Sequence, residues 1–580
     1  MGERRVTEVT GGGLLVDALL AQGVSHLFTV SGGQILPAYD ATVGRPLRLI
    51  HTRHEAAAVL MADGWTRVTG DPAACLFTLG PGVTNAVTGA FVASLAGTPV
   101  VVMAAGVPTD RYDMGAIQDL DQIALMRPVT KWAARVLEAR RIAEYVATAF
   151  RQARGGRPGP VFLEFPANVL AAKVPAGERA VPAAAHPAPP PGPDPVAIEE
   201  AAALLGRAAR PVIVGGSGIF WARAGEDLRA VAEAAGAPLF LDRLGRGAVP
   251  AEHPLHLGLA ALALNPVAVA AFREADCVLL AGARLDYNLE FGHGPFWRKD
   301  ARLVQIDILP EEFGRNRPVD VPVLADARPA LGALAARLRA AGPPPDRAAW
   351  LGLLREVRRR AWEELIPSFH SDEEPIHPLR LVREIRDFLP RDAIVAAGTG
   401  DIDFWVSALL EQHAPGTFLR VGQAGTLGCE IPYAIAAKLA RPGAPVLVAV
   451  GDGGFGFSGM ELDTADRYGV PIVCVVGNDA GWGMIRQRQL ARYGEDRAVG
   501  TDLAPRPYER IAQALGGYGE AVERPEEIKG ALARAFESGL PACVNVHIRS
   551  VASPMTTWGL SGPGGASAWR LPERRERDHG

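Results

Sequence analysis

Cysteine is scarce in this sequence: five residues in 580 (Cys75, Cys277, Cys429, Cys474 and Cys543), far apart and with no CxxC pair. An odd, dispersed set with apolar neighbours argues against a disulfide framework or a thiolate zinc site and reads as reduced core thiols. An excess of one charge is missing too. Lys+Arg numbers 60 and Asp+Glu 64, a formal net charge of −4, which leaves no basic stripe for nucleic acid. No apolar stretch reaches the roughly 18–20 residues that cross a bilayer. The first ten residues, MGERRVTEVT, hold no apolar h-region, so no signal peptide is expected. Neither nucleic acid nor membrane is an expected partner, and the location reads as cytoplasmic.

What is present is core and turn. Hydrophobic residues make up 48% and charged ones 21%, which excludes a mostly disordered chain. Two proline-rich breaks divide the length. Eight prolines fall between Pro175 and Pro195, in Ala-rich filler that reads as a semi-extended linker. The second break opens at Gly342-Pro343-Pro344-Pro345 and runs through a charged helical stretch to Pro375-Ile376-His377-Pro378. The breaks leave three blocks, 1–174, 195–341 and 375–550, with a Gly/Ser/Pro- and Arg-rich tail, 551–580, expected to fray, an ordered lid over a site being the alternative. Each block alternates short apolar runs with helical patterns, the mark of a parallel sheet covered on both faces. Ala73–Leu79, Pro99–Ala105, Pro211–Gly215, Asp276–Ala281, Leu303–Ile308, Ile394–Ala397, Val446–Val450 and Ile472–Val476 are the expected strands, and Gly13–Gly23 an expected amphipathic helix. The fold class is α/β, with three consecutive domains, each a mostly parallel sheet flanked by helices.

The strongest local signal lies in block three. The run APVLVAV ends in Gly451-Asp452-Gly453-Gly454, and twenty-four residues, 454 to 477, separate Gly453 from Asn478, which ends a second apolar run. Glycines after a parallel strand let backbone approach a diphosphate, and the next helix offers it free N–H groups. A hard cation bridging that diphosphate takes oxygen ligands, few of them from protein. Asp452 and Asn478 would emerge at the C-terminal ends of neighbouring strands, where ligands bind in open α/β sheets.

Gly-Asp-Gly, this spacing and Asn resemble the thiamine-diphosphate motif, and the resemblance covers nearly the whole chain. It implies that Asp452, Asn478 and the carbonyl of Ala480 hold Mg²⁺, with Gly451, Gly453, Gly454 and Gly481 around the diphosphate. Asp479 departs from the second Asn usual in the family. His51-Thr52-Arg53-His54-Glu55 resembles the segment whose Glu bonds N1′ of the cofactor's aminopyrimidine, so Glu55 is the implied catalytic carboxyl of an acid–base relay that removes the C2 proton. Leu427, in Gly425-Thr426-Leu427-Gly428, resembles the wedge between the cofactor's two rings, and Thr426 goes with it. Gly400 and Asp401 resemble the other diphosphate-side loop. Pro81, Asn85 and Gln118 resemble active-site positions of the acetolactate synthase-like branch, Gln118 with a catalytic role.

Within that superfamily the central block discriminates. Gly282-Ala283-Arg284-Leu285-Asp286-Tyr287, Phe291-Gly292, Gln305-Ile306-Asp307-Ile308 and Gly314-Arg315-Asn316, with Phe455 to Glu461, resemble 2-hydroxyacyl-CoA lyases and their oxalyl-CoA decarboxylase relatives. These place ADP in the central domain. The Arg-Phe-Asp-Asp-Arg segment of FAD-binding acetolactate synthases is absent, although Gly483-Met484-Ile485 is as much like them. The implied activity is carbon–carbon lysis or ligation, 2-hydroxyacyl-CoA to aldehyde plus formyl-CoA or the reverse condensation, so the implied substrate is an acyl-CoA with an aldehyde or ketone. An acetolactate synthase-type carboligase on pyruvate is the alternative. Oxalyl-CoA decarboxylase-like, benzaldehyde lyase-like and non-catalytic readings rank behind these. Arg486 and Arg488, just past the metal loop, read as a solvated helix face; cations there would suit the phosphates of a CoA ester, but neither is taken as a CoA ligand. The resemblance also implies a homodimer or homotetramer with active sites between subunits.

Overall fold

The computed structural model describes residues 8–175, 184 and 189–561; most of the proline-rich linker and the tail beyond 561 lie outside them. Block one holds a short antiparallel pair, β1 (Glu8–Thr10) with β8 (Lys173–Pro175), and a parallel six-stranded sheet. Its strands are β2 (His26–Thr29), β3 (Arg48–His51), β4 (Ala73–Phe77), β5 (Val100–Gly106), β6 (Trp132–Arg135) and β7 (Val161–Pro166), in the order β3-β2-β4-β5-β7-β6. The central sheet contains β9 (Pro211–Gly215), β10 (Leu239–Leu241), β11 (His256–Leu259), β12 (Cys277–Ala281), β13 (Arg302–Asp307) and β14 (Val321–Leu324), ordered β11-β10-β9-β12-β13-β14. The third contains β15 (Ile394–Ala397), β16 (Phe418–Leu419), β17 (Val446–Gly451), β18 (Val473–Asn478), β19 (Tyr518–Val522) and β20 (Ala542–His547), ordered β16-β15-β17-β18-β20-β19.

The central strands of each sheet are apolar without alternation because both faces are covered. β4, β5, β7, β9 and β12 are buried at every residue, the pattern of a parallel sheet between two helical layers. All five cysteines are buried and free.

The helices that frame the sites and the seams between blocks are α1 (Gly11–Ala21), α2 (Glu55–Thr69), α3 (Pro81–Ala96), α4 (Pro266–Glu274), α5 (Ala348–Phe369), α6 (Asp401–Leu409), α7 (Glu430–Ala440), α8 (Asp452–Ser458), α9 (Gly483–Tyr493) and α10 (Pro554–Ser561). α1 starts two residues before its expected start at Gly13. Thr10 caps it by accepting from the Gly13 N–H at 3.0 Å. A Cβ on Gly11 would lie 2.1 Å from the Val169 carbonyl and one on Gly12 2.2 Å from Pro37 backbone, so these glycines serve close packing rather than helix breaking. The charged stretch of the second break is α5, and among the described residues no helix is long and apolar enough to cross a membrane.

Blocks one and three pack directly on each other through α2 and α7. Gly64 lets the helices close: a Cβ there would lie 2.9 Å from the Tyr433 ring. Across this seam Arg67 donates to both carboxylate oxygens of Asp63 (2.7 and 2.6 Å), and Tyr433 donates its hydroxyl to Asp63 Oδ2 at 2.6 Å. Asp63 and Tyr433 are 0% exposed and Arg67 1%.

Candidate active site

The sequence-predicted residues fall into two clusters. In block one, the chain leaves β3 at His51 and enters α2 at Glu55, with the His54 ring as N-cap, accepting from the Ala56 N–H at 3.1 Å. Glu55 is therefore the first helical residue, where the helix dipole favours an anion. It is buried, and its Oε2 accepts from Asn85 Nδ2 at 2.9 Å. Asn85 sits on α3, whose start at Pro81-Gly82 passes close to the carboxylate: a Cβ on Gly82 would lie 3.8 Å from Glu55 Oε1. Gln118, exposed and with φ of +62°, lies over the turn that leads into α3, its Cβ 2.9 Å from where a Gly80 side chain would begin. Gln122 fastens that turn, accepting from the Gly80 N–H and donating to the Ala105 carbonyl, both at 2.9 Å.

In block three, β17 and β18 are neighbours with Gly451 opposite Gly477, so Asp452 and Asn478 leave the sheet side by side. α8 begins at Asp452 itself. The Asn478 amide is oriented by donating to the Arg506 carbonyl (3.2 Å) and Asn545 Oδ1 (3.1 Å), while its own Oδ1 accepts from the Ala480 N–H. Ala480 adopts φ of +52°. The Gly481 N–H donates to Asp452 Oδ2 at 3.1 Å. Gly453 is required where it stands, since a Cβ would meet the Trp482 ring at 2.6 Å. Thr399 Oγ1 donates to the Thr426 carbonyl and so ties the Gly398–Gly400 loop to the Gly425–Gly428 loop. A cavity of about 320 Å³ opens here, walled by Gly400, Asp401, Leu427, the Gly451–Gly454 run and Gly481.

Acids converge on that cavity. Burial, with the Asp479 carboxylate nearby, raises Asp452 to about 7. Burial also raises Asp479, with Asp401 adding to it. Asp401 accepts at Oδ1 from the Ser553 N–H (2.9 Å) and the Thr556 hydroxyl (2.6 Å), while its buried Oδ2 has no partner. Ser553 and Thr556 belong to the start of the tail, so α10 is fastened against α6 at the cavity; the remainder of the tail, expected to fray or to form a lid, lies outside the described residues. Sequence reasoning did not single out Ser553, Thr556 or Trp482, because each acts through a contact dozens of residues away.

The two clusters are not brought together within one chain. Every residue lining the cavity lies between 378 and 551, and none comes from block one. Block one reaches block three elsewhere, for instance where the Arg53 N–H donates to both Glu461 oxygens at 3.0 and 3.2 Å.

All three blocks match models of one family: thiamine pyrophosphate enzyme, N-terminal TPP binding domain (residues 9–125), central domain (198–334) and C-terminal TPP binding domain (398–546). The chain belongs to the thiamine pyrophosphate enzymes. It is 36% identical over 538 residues to an acetolactate synthase large subunit of Mycobacterium tuberculosis, covering 92% of this chain and 95% of that one. A probable acetolactate synthase large subunit of Methanocaldococcus jannaschii is 32% identical (96% and 94% covered). The 2-hydroxyacyl-CoA lyase 2 of Bos taurus is 33% identical (89% and 86%). As a thiamine pyrophosphate enzyme of this acetolactate synthase-like group, the protein makes or breaks carbon–carbon bonds with thiamine diphosphate.

The donor set fits this cofactor. Three acids, Asp401, Asp452 and Asp479, one of them carrying a buried oxygen without a partner among the described residues, face a glycine-lined cradle at a helix start. Among the described residues no three acid, His or Cys side chains cage a metal by themselves, as expected where Mg²⁺ takes one or two carboxylates plus phosphate oxygens. A second cavity, about 150 Å³, lies between block one and the central block of this thiamine pyrophosphate enzyme, with Arg157, Gly218, Gly282, Arg284 and Asp307 on its walls. Gly218 and Gly282 touch backbone to backbone, a Cβ on Gly218 falling 2.7 Å from the Gly282 Cα. Burial raises Asp307 to about 6.

Proposed function

We propose that the protein is a thiamine-diphosphate- and Mg²⁺-dependent 2-hydroxyacyl-CoA lyase, or the carboligase running in reverse, with its active site formed between two copies. Asp452, Asn478 and the Ala480 carbonyl of one copy would hold Mg²⁺, and Gly400, Asp401, Thr426, Gly451, Gly453, Gly454 and Gly481 would cradle the diphosphate. Leu427 would hold the cofactor bent. Glu55 of the other copy would sit against N1′ of the aminopyrimidine, oriented by Asn85, with Pro81 shaping the wall and Gln118 reaching the substrate. When bound, the cofactor supplies a carbanion equivalent at C2. Glu55 would hold the proton at N1′ and so favour the imino tautomer of the aminopyrimidine, whose nitrogen is the base for the C2 proton.

The observation that carries the shared site is that Glu55 is buried at a helix start beside Asn85, yet absent from the walls of the cavity where the diphosphate residues meet. A partner copy supplies the missing carboxyl, which makes a homodimer or homotetramer the working unit.

The substrate reading rests on the central block. Where flavin-binding synthases carry Arg-Phe-Asp-Asp-Arg, Asp286 here caps a short turn by accepting from the Asn288 N–H at 3.0 Å, and Leu285 is buried. The adjoining cavity with Arg157, Arg284 and Asp307 suits an adenine nucleotide such as ADP, with FAD as the rival occupant. Cleavage would break C1–C2 of the hydroxyacyl thioester and release an aldehyde and formyl-CoA. The 36% identity to an acetolactate synthase favours a second reading, condensation of pyruvate. Incubating the loaded enzyme separately with a 2-hydroxyacyl-CoA and with pyruvate, and following formyl-CoA and acetolactate by mass spectrometry, tests both. Acetolactate without formyl-CoA would replace the first reading by the second.

A further inference from the structure

Arg246 lies half-buried between the central block and block three and lines two cavities. Its Nε donates to Gln412 Oε1 at 2.6 Å, and its Nη2 donates to the Ser407 (3.1 Å) and Leu410 (3.2 Å) carbonyls. Its Cζ lies 4.0 Å from the centre of the Phe418 ring. All of these partners are neutral. Among the described residues no carboxylate stands within ion-pairing distance of it, and Nη1 makes no hydrogen bond. A guanidinium cannot escape the expense of burial by losing its proton at neutral pH, and buried charges are ordinarily paired. Burial pulls its pKa down to about 9, with Arg420 adding to the effect and Asp403 and Asp242 opposing it. The site is short of an anion.

Of the two cavities, one has the Asp242 carboxylate in its wall together with Arg67 and Arg420, which are already paired with Asp63 and Asp403. The other, about 130 Å³, is walled by Leu241, Leu257, Leu264, Val267, Trp362 and Leu409. Its acid, Glu411, is paired with Arg358 at 3.2 Å. Its imidazole, His256, is held neutral because burial pushes it down to about 4. A mostly apolar pocket of this size, close to the ~150 Å³ that takes up benzene, whose two cations are Arg246 and the Glu411-paired Arg358, suits a charged head on a compact apolar body.

We propose that the cavity between β11, α4, α5 and the end of α6 binds a small organic monoanion, a carboxylate on a branched or cyclic apolar body, with Arg246 Nη1 as its anchor. The site is separate from the diphosphate cavity, although α6 links them: it begins at Asp401 in that cavity, and its residues Ser407 to Leu409 form a wall of this one.

Calorimetric titration of the cofactor-loaded protein with 3-methylbutanoate, and with the neutral 3-methylbutanamide, tests this. Saturable carboxylate binding is expected, with the amide weaker by at least about tenfold, the factor for losing one charge-assisted hydrogen bond. Arg246→Met should weaken the carboxylate similarly, and Val267→Phe, which fills the cavity and leaves Arg246 in place, should abolish binding. If Arg246→Met does not fold, Val267→Phe and the amide comparison decide. No saturable binding, equal binding of acid and amide, or binding that survives Val267→Phe and so belongs to the catalytic cavity, overturns the proposal.

Discussion

Replacing Glu55 by Gln tests the relay at its reacting atom. Gln keeps the volume and can still hydrogen-bond through its oxygen, so the 2.9 Å contact with Asn85 and the start of α2 should survive. Only the proton is lost. A positioned acid–base group contributes typically ~10²–10⁴ in rate, so exchange of the C2 proton of bound thiamine diphosphate for deuterium, read by quenched-flow NMR, should slow by that factor. Cofactor affinity measured by calorimetry should change little, because the diphosphate residues lie in another cluster. Asn85→Ala grades the effect. It removes one hydrogen bond to a buried carboxylate, worth about 1.5–3 kcal/mol, and exchange should slow roughly ten- to hundredfold if all of it is expressed at the reacting atom. Unchanged exchange in Glu55→Gln with cofactor demonstrably bound would falsify the assignment. A Glu55→Gln defect without any Asn85→Ala defect would show that Asn85 does not orient the carboxyl.

Three further outcomes rest on buried contacts. Asp63→Asn strands the Arg67 charge in the α2–α7 seam and should destabilise by about 3–5 kcal/mol, seen as a lower thermal midpoint and faster proteolysis between blocks; Tyr433→Phe should cost only about 1–2 kcal/mol. Glu430 is fully buried with no side-chain partner for either carboxyl oxygen, and burial raises it to about 8 against the backbone N–H groups around it. It is therefore an acid kept protonated in the fold: its contribution is complete below its unfolded pKa near 4.5 and is lost as pH rises through 8. Glu430→Gln should flatten the fall of the thermal midpoint between about pH 4.5 and 8, and an unchanged profile would refute this. Gly453→Ala should abolish cofactor binding, measured by calorimetry, because its Cβ would strike the Trp482 ring.

The architecture was legible because parallel strands buried on both faces write themselves as unbroken apolar runs. The Asp452–Asn478 pair was legible because strand, turn and helix between them fix the spacing. Boundaries were weaker: the helix expected over Gly13–Gly23 begins at Gly11, where neighbouring backbone comes too near Gly11 and Gly12 for a side chain. The Asp63–Arg67–Tyr433 network was invisible, as two of its members share a helix face and the third is some 370 residues away. Arg246 gave no signal either. A buried cation without a carboxylate is defined by what surrounds it in space, and no local pattern encodes that.

The seam between α2 and α7 has a consequence for assembly. It holds blocks one and three of one polypeptide in fixed register, and on the proposed shared site neither half completes its own. Damage to the halves should then be separable between chains. Glu55→Gln and Asp452→Ala homo-oligomers, each inactive, should regain activity when dissociated and mixed, since a hybrid pair joins one intact Glu55 to one intact Asp452. Random pairing into closed two-fold dimers restores roughly a quarter of the native sites. Genetic complementation between two dead alleles is what this helix packing implies.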